Sequence, residues 1–150
     1  MEKPRIIKFQ TFGDLEKGFL TIAFDGVRTG FEFEVKRAYY IHNVPWGAIR
    51  GGHAHKKTDQ VFICLAGGCE FSLNDEGGRD FIATTCVKLG PDGTGLLVPH
   101  LVWHCMYDFL PGTVLIAFAS TEHDEKDYIR DQDEFFKYLK NLKEKVGEKA

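Results

Sequence analysis

An all-β barrel or sandwich with one helix at its carboxyl end is the fold class that this sequence predicts. A series of short apolar or alternating runs lies between residues 5 and 119, each with the length of a β-strand. Gly-rich segments of the kind that form turns separate the runs. Hydrophobic residues make up 43% of the 150 residues, which is enough for a packed core. Many short strands at this spacing are typical of a closed barrel or of two packed sheets.

The predicted strands follow one another from the amino terminus. They cover residues 5–9, 20–23, 31–35, 38–42, 61–66, 69–73, 81–89, 95–98, 103–107 and 114–119. Turn signals lie at 12–14, 25–26, 66–68, 74–78, 90–93 and 110–112. The segment 74–78, Asn-Asp-Glu-Gly-Gly, predicts a hairpin tip because these residue types tolerate the positive φ that hairpin turns require.

The end of the chain has a different period. Apolar side chains recur there at helical spacing, at Phe135, Tyr138, Leu139 and Leu142. Lysines fill the later turns, where the helix dipole favours a positive charge. This pattern predicts an amphipathic helix over residues 131–145 that lies on the barrel. Asp131 or Asp133 is suited to cap its start, and a frayed tail is expected from about Val146.

We expect a single domain over residues 1–150, with the strands in a core of about 5–121. The net charge of −3 gives no electrostatic reason to expect nucleic acid or an anionic membrane as a partner. The first residues lack the apolar stretch of a signal peptide, and no run reaches the length of a membrane span. No two of the four cysteines are spaced as Cys-x-x-Cys, so free thiols in the cytoplasm are expected.

Two histidines, His53 and His55, stand two positions apart in the most polar segment, Arg-Gly-Gly-His-Ala-His-Lys-Lys. Residues at i and i+2 of a strand point to the same face, so both imidazoles face one side of it. Inside a barrel each imidazole needs a partner or a ligand, because an unpaired buried polar group is costly. A lone histidine is usually a satisfied core residue, but the pair predicts a functional pocket.

The spacing around this pair resembles the two linked motifs of the cupin superfamily. In the first motif, Gly47 precedes the histidines, Gln60 stands at the position of a Glu, and Gly67 follows after six intervening residues. The second motif is matched by Gly93, Pro99, His104 and Asp108. Leu101 stands where that motif has its middle glycine. The resemblance covers about residues 47–108 and implies a jelly-roll barrel.

Gln60 bears on whether the pocket binds a metal. Metal-dependent cupins use two His and a Glu of the first motif with the His of the second, and an amide is a poorer ligand than a carboxylate. Asp59 is adjacent, but one step along a strand turns it to the opposite face. We therefore expect no metal or other cofactor and interpret the histidines as acid–base groups. In the alternative, a metal-dependent enzyme, His53, His55 and His104 bind the ion.

Further segments narrow the resemblance. They are Arg-Ala-Tyr-Tyr-Ile at 37–41, the histidine segment at 50–57, Val-Trp-His at 102–104, Leu-Ile-Ala-Phe-Ala-Ser at 115–120 and Asp-Glu-Lys-Asp-Tyr-Ile-Arg at 124–130. Over about residues 5–140 the chain is similar to the sugar-nucleotide 3,4-ketoisomerases. The resemblance implies an enzyme of deoxy-amino sugar biosynthesis that moves the ketone of dTDP-4-keto-6-deoxyglucose from C4 to C3. It also implies a homodimer.

The resemblance assigns roles by position. It implies that His53 is the base that removes the C3 proton and that His55 is its partner. Tyr39, and after it Tyr40, is the expected phenol that serves the developing oxyanion. The diphosphate requires a guanidinium near the pocket mouth, and Arg50 is the first candidate. The other expected substrate-binding residues are Arg37, Gln60, His104, Lys57 and Arg130.

Two further alternatives stay open from the sequence. A sugar-nucleotide 3,5-epimerase shares the nucleotide-linked keto-sugar chemistry but depends on a His–Asp dyad, for which Asp108 or Asp124 supplies the acid. A non-catalytic cupin that binds a sugar requires the pocket but not two titratable histidines.

Overall fold

The computed structural model describes residues 1–26, 30–75 and 85–147 of the chain. Its strands are β1 (Arg5–Lys8), β2 (Thr11–Asp14), β3 (Gly18–Thr21), β4 (Arg37–His42), β5 (Arg50–His55), β6 (Gln60–Ala66), β7 (Cys69–Asn74), β8 (Thr85–Leu89), β9 (Thr94–Val98), β10 (Trp103–Tyr107), β11 (Val114–Ala119) and β12 (Tyr128–Ile129). A 3₁₀ turn, Glu125–Asp127, precedes β12, and helix α1 spans Gln132–Gly147. The predicted all-β fold with a C-terminal helix is confirmed.

Two five-stranded antiparallel sheets enclose the main core. The first sheet has the order β1-β9-β6-β11-β4 and the second the order β12-β5-β10-β7-β8. Phe62 and Leu115 of the first sheet meet Phe71 and Leu73 of the second, and all four are fully buried. The rings of Phe62 and Phe71 lie 5.1 Å apart. The inward-facing apolar residues of alternating strands therefore join the two layers of the jelly roll.

Helix α1 covers the outer face of the second sheet. Phe135 and Leu139 of the helix pack with Ala54 of β5, Trp103 of β10 and Ile129 of β12. Ala54 points outward to this cluster, so its neighbours in β5 point inward to the space between the sheets. The helix thus packs behind β12 and behind the two strands that carry His53, His55 and His104.

The bounds of α1 differ slightly from the predicted 131–145. Asp131 caps the helix as one of the two predicted candidates, since its carboxylate accepts a hydrogen bond from the Glu134 backbone N–H at 2.9 Å. The helix continues to Gly147, two residues past the predicted end, and residues 148–150 of the predicted frayed tail lie outside the described residues. No helix in the described part of the chain is long and apolar enough to cross a membrane.

The strand predicted at residues 31–35 is absent. This segment crosses the outer face of the first sheet, where the Phe31 ring lies 6.2 Å from Phe9 and 5.5 Å from Phe118. Its alternating apolar residues are buried against side chains instead of pairing with a neighbouring strand. Of the strand predicted at 81–89, residues 85–89 are confirmed as β8. Residues 81–84, and residues 76–78 of the predicted hairpin tip, lie outside the described residues.

The turn predicted at residues 12–14 is wrong, because these residues belong to β2, which pairs with β3. The turn lies one step later, where the Asp14 carboxylate accepts hydrogen bonds from the backbone N–H groups of Glu16 and Lys17 at 3.0 and 2.9 Å. The β2–β3 hairpin belongs to neither five-stranded sheet. It exposes four large apolar side chains, those of Phe12, Leu15, Phe19 and Leu20.

Gly67 offers a test of the β6–β7 connection. Its φ is +73°, and a Cβ atom there would lie 2.6 Å from Thr113 Cα, whereas Gly112, with a φ of +75°, has open space around it. Left-handed backbone costs other residues about 1–2 kcal/mol, and a forced contact adds about 1–3 kcal/mol. We expect Gly112→Ala to lower the free energy of unfolding by about 1 kcal/mol and Gly67→Ala by about 3 kcal/mol. Urea unfolding measures both values, and equal losses would contradict the role of the contact.

Candidate active site

A row of aromatic side chains crosses three adjacent strands on the inner face of the second sheet. Tyr128 of β12 stands directly opposite His55 of β5, and His53 of β5 stands directly opposite His104 of β10. Directly opposed residues of antiparallel strands project from the same face. The register of the sheet therefore brings a phenol and three imidazoles together, although they are up to 75 residues apart in sequence.

His53 occupies the centre of this row. Its ring centroid lies 4.6 Å from that of His104, 5.0 Å from that of His55 and 5.0 Å from that of Tyr128. The rings of His55 and Tyr128 are 4.4 Å apart. His53 and Tyr128 form part of the wall of a cavity, whereas His55 lies behind His53 and is only 2% exposed. His53 is therefore the histidine of the pair that a molecule in the cavity meets directly.

Asp127 holds His55 from behind. Its Oδ2 lies 2.9 Å from His55 Nδ1 and also accepts a hydrogen bond from the Thr58 hydroxyl, while its Oδ1 accepts one from the Lys57 backbone N–H at 2.9 Å. Burial raises the pKa of Asp127, but these hydrogen bonds outweigh burial and the pKa is lowered. The carboxylate is thus ionised at neutral pH, which makes His55 Nδ1 the donor and leaves His55 Nε2 as an unprotonated nitrogen.

The three imidazoles are neutral at physiological pH. Burial, and after it the neighbouring His55, lowers the pKa of His53 to about 4. Burial also lowers the pKa of His55, although Asp127 opposes that shift. His104 is fully buried, and its pKa falls well below the usual value. Each of these side chains therefore keeps one unprotonated ring nitrogen, since a desolvated site disfavours the charged form.

The cavity has a volume of about 750 Å³ and lies between β4 of the first sheet and β5, β10 and β12 of the second. Three arginines line it, namely Arg37, Arg50 and Arg130. The Arg37 Nη1 atom lies 3.1 Å from His123 Nδ1. The Arg130 guanidinium donates to both carboxylate oxygens of Glu125 at 3.1 Å, and its Cζ lies 4.3 Å from the centre of the Tyr128 ring. The wall of the cavity thus carries three guanidinium groups as well as His53 and His104, and Arg130 lies beside the Tyr128 ring that contacts His53.

Tyr39 and Gln60 form a pair beside the histidines. The Gln60 Nε2 atom donates a hydrogen bond to the Tyr39 hydroxyl at 2.8 Å, and Gln60 is 1% exposed. Burial raises the pKa of the Tyr39 phenol, and the nearby Tyr128 phenol raises it further. Tyr39 also lines the cavity. Tyr40 follows it on the opposite, exposed face of β4, with 67% of its surface accessible.

Lys57 is not among the described residues that line the cavity. Its Nζ lies 3.9 Å from an Asp124 carboxylate oxygen and its side chain is 65% exposed. The other expected substrate-binding residues are nearer to the cavity. Arg37, Arg50, Arg130, Tyr40 and His104 line it, and Gln60 contacts Tyr39.

Three nitrogen atoms, one each from His53, His55 and His104, lie within 4.8 Å of one another and form a set that could hold a divalent cation. His55 Nδ1 is bound to Asp127, and His104 Nδ1 lies 3.2 Å from the Val102 carbonyl oxygen, so the Nε2 atoms are the available ligands. Gln60, at the position of the fourth cupin ligand, is engaged with Tyr39. The donor set fits a three-histidine site and offers no carboxylate to it.

Sequence reasoning missed three residues of this site: Asp127, Tyr128 and His123. The acid that pairs with His55 is Asp127, and neither of the two candidates named for such a dyad contacts a pocket histidine in the described residues. Asp108 lies at a positive φ of 50° after β10, and the Asp124 side chain caps the 3₁₀ turn through the Lys126 N–H. The alternation of Tyr128 and Arg130 around buried Ile129 was the signal that could have identified a strand facing the pocket.

Comparison with known proteins agrees with this geometry. The family model described as "FdtA: WxcM-like, C-terminal" matches residues 2–140. A TDP-4-oxo-6-deoxy-alpha-D-glucose-3,4-oxoisomerase from Aneurinibacillus thermoaerophilus is 41% identical over 116 residues, which are 77% of this chain and 80% of that protein.

Two solved structures share the fold over nearly their full length. A point mutant of the 3,4-ketoisomerase QdtA from Thermoanaerobacterium thermosaccharolyticum, in complex with TDP-4-keto-6-deoxyglucose, has a TM-score of 0.82 and 34% identity, covering 94% of this chain and 96% of that one. A 3,4-ketoisomerase from Helicobacter canadensis has a TM-score of 0.82 and 32% identity, covering 93% and 99%. The resemblance found in the sequence is confirmed, and the chain belongs to the FdtA/WxcM-like family.

Proposed function

We propose that this protein is a sugar-nucleotide 3,4-ketoisomerase that converts dTDP-4-keto-6-deoxyglucose into the corresponding 3-keto sugar. The observation that carries the proposal is the position of His53. This neutral imidazole lies on the wall of a cavity that three arginines also line, and it is backed by the His55–Asp127 pair. A family relative named for the same reaction supports this choice of substrate.

The reaction needs a base that works on carbon and returns the proton to the neighbouring carbon. In our proposal, neutral His53 removes the proton from C3, which gives an enediolate, and its imidazolium then delivers a proton to C4. His55 lies 5.0 Å from His53 between ring centroids, and Asp127 fixes its orientation. An ionised carboxylate behind His55 stabilises the positive charge that the histidine pair carries in the intermediate.

The arginines of the cavity are suited to the diphosphate. A guanidinium binds phosphate oxygens through two parallel hydrogen bonds, and Arg37, Arg50 and Arg130 all line the cavity. We assign the diphosphate to this group, with Arg50 as the first contact. Lys57 forms an ion pair with Asp124, so we assign it at most a secondary contact with the diphosphate.

We also propose a homodimer in the cytoplasm. The β2–β3 hairpin lies outside both large sheets and exposes Phe12, Leu15, Phe19 and Leu20, an apolar surface that a second copy can cover. The thiols of Cys64, Cys69 and Cys105 are unpaired with one another, which supports a reducing compartment.

Replacing His53 tests the proposed activity. We expect His53→Asn to lower kcat by about 100-fold or more, because the variant lacks the base. Proton NMR of dTDP-4-keto-6-deoxyglucose incubated with each protein measures the conversion. Binding of dTDP is expected to survive, so dTDP raises the melting temperature of both proteins.

The control for this test is the wild-type protein after dialysis against EDTA, which is expected to retain full turnover. Activity lost on dialysis and restored by Zn²⁺ would favour the metal-dependent alternative. A wild-type protein that binds dTDP and converts nothing would favour the non-catalytic one.

The pH dependence of kcat/KM follows from the lowered pKa of His53. The neutral imidazole is the active form, and with a pKa of about 4 it is protonated only as the pH falls towards that value. We expect kcat/KM to be level from about pH 7.5 to pH 5 and to fall below that, whereas an unperturbed histidine would lose half of its activity near pH 6.5. Circular dichroism at each pH confirms that the protein is folded. A midpoint near pH 6.5 would contradict the buried, neutral His53.

The dimer is tested by mass in solution. Sedimentation equilibrium is expected to give twice the chain mass of 17.0 kDa. Phe19→Asp is expected to produce the monomer, because it places a charge in the apolar surface, while Lys17→Asp in the adjacent turn leaves the dimer intact. A monomeric wild-type protein, or a dimer that survives Phe19→Asp, would exclude the hairpin as the interface.

A further inference from the structure

The Thr58 hydroxyl lies between the Asp127 carboxylate and a second threonine hydroxyl, that of Thr121. Thr58 is 1% exposed and stands in the connection between β5 and β6. Its Oγ1 donates to Asp127 Oδ2, the same oxygen that lies against His55 Nδ1. On its other side, Thr58 Oγ1 lies 2.5 Å from Thr121 Oγ1. Two hydroxyl groups therefore stand in line behind the pair of Asp127 and His55.

The direction of these hydrogen bonds follows from the number of hydrogens available. An ionised carboxylate only accepts, so the single hydrogen of the Thr58 hydroxyl points to Asp127. The Thr121 hydroxyl must then be the donor to Thr58, because the contact between the two oxygens needs one hydrogen. The donors thus run from Thr121 through Thr58 to Asp127, and they end on the carboxylate oxygen that also holds His55.

Backbone contacts hold the two threonines in place. The residues beside them exchange two hydrogen bonds, since the Asp59 N–H donates to Ser120 Oγ at 2.8 Å and the Ser120 N–H donates to the Asp59 carbonyl oxygen at 3.0 Å. Ser120 and Thr121 follow directly on β11 of the first sheet. The connection that contains Thr58 follows on β5 of the second sheet. The two threonines therefore meet at a point where the ends of the two sheets are joined.

The Asp127 carboxylate depends on these donors because it is ionised in a buried position, with 2% of the side chain exposed. Its Oδ1 accepts from the Lys57 backbone N–H, while Oδ2 accepts from the side chains of His55 and Thr58. Burial raises the pKa of Asp127, and the hydrogen bond from Thr58 is the first of the contacts that lower it. Hydrogen bonds to a charged group are stronger than those between neutral groups. Without the Thr58 hydroxyl, Oδ2 loses a strong donor and the carboxylate is freer to turn away from His55.

We infer that Thr58 is a positioning residue that holds the Asp127 carboxylate, and through it the His55 ring, in the orientation that the isomerisation requires, with Thr121 as its support. Thr58 is not among the described residues that line the cavity, so it acts through Asp127 and not on the substrate. The inference rests on the proposed function and adds to it the side chain that orients the histidine pair. A residue that acts in this way changes kcat and leaves KM unchanged.

Three substitutions separate positioning from a general effect on the fold. Thr58→Val removes the hydroxyl and nearly keeps the shape of the side chain, whereas Thr58→Ser keeps the hydroxyl. The matched control is Thr113→Val, because Thr113 is also buried and its hydroxyl is bonded to Gly68 and Leu110, which are not among the described residues that line the cavity. Urea unfolding shows that each variant is folded and gives its loss of stability.

Proton NMR of dTDP-4-keto-6-deoxyglucose gives kcat and KM for each protein. We expect Thr58→Val to lower kcat by about tenfold or more at an unchanged KM, in line with the loss of a hydrogen bond to a charged group. Thr58→Ser and Thr113→Val are expected to keep kcat within about twofold of the wild-type value. Thr121→Val is a milder variant at a half-buried residue, and we expect it to lower kcat by about fivefold, as the loss of a neutral hydrogen bond does.

A ring signal of His55 tests the positioning without reference to turnover. In protein labelled with ¹⁵N-histidine, the proton on an imidazole nitrogen that is bonded to a carboxylate gives a downfield signal protected from exchange with water. The signal of His55 is assigned by its absence from His55→Asn. We expect this signal to be the same in the wild type, Thr58→Ser and Thr113→Val. In Thr58→Val we expect it to move upfield and to exchange faster.

Four results would overturn the inference. Two of them are a Thr58→Val protein with kcat within about twofold of the wild-type value, and one with an unchanged His55 signal. The third is an equal loss of kcat in Thr113→Val, because both variants would then report a weakened fold. The fourth applies if Thr58→Val does not fold, and is a Thr121→Val protein with wild-type kcat and His55 signal. A wild-type protein without ketoisomerase turnover would refute the proposed function instead, and the His55 signal of the variants would still decide whether Thr58 positions Asp127.

Discussion

The antiparallel register of β12, β5 and β10 is the constraint on which the site depends. Because side chains alternate along a strand, His53 and His55 point to the inner face of the second sheet only while Ala54 faces helix α1. A shift of one residue would turn both imidazoles towards Phe135 and Leu139 and place a methyl group in the cavity. The apolar contact of Ala54 and Ile129 with the helix therefore does more than add stability. It fixes which face of the sheet carries the polar groups.

That register has an electrostatic consequence. Three imidazoles lie side by side in a largely buried space, and burial disfavours their charged forms, so they are neutral at physiological pH. The compensating charge is on Asp127, which is buried with His55 and accepts hydrogen bonds from Thr58 and Lys57 as well. The protein thus keeps the charge of Asp127 one layer behind the cavity, whose wall carries three arginines. In the proposed reaction, this arrangement suits a positive intermediate at the histidines and an anionic diphosphate.

The same arrangement explains why a departure at one position changes the chemistry of a cupin-type pocket. Gln60 occupies the place of a metal-binding carboxylate, but here its amide donates to the Tyr39 hydroxyl. The three histidines retain a spacing that fits a cation. The ionised carboxylate of Asp127 is bonded to His55, and the phenol of Tyr128 lies beside His53 and His55. At the position of Gln60 the chain therefore has an amide that is bonded to a phenol instead of a carboxylate.

The sequence by itself determined the layers of the fold, the C-terminal helix and the presence of the histidine pair. These features have short-range signatures: strand alternation, helical spacing and an i, i+2 repeat. It failed where one local pattern fits two environments. Residues 31–35 alternate like a strand but pack on a sheet face, and Gly13 sits in a strand although Phe-Gly-Asp is typical of a turn. Only the tertiary structure decided that Asp127 pairs with His55 and that Tyr128 faces His53. A two-residue strand is too short to show a period, and its partner lies 73 residues earlier in the chain.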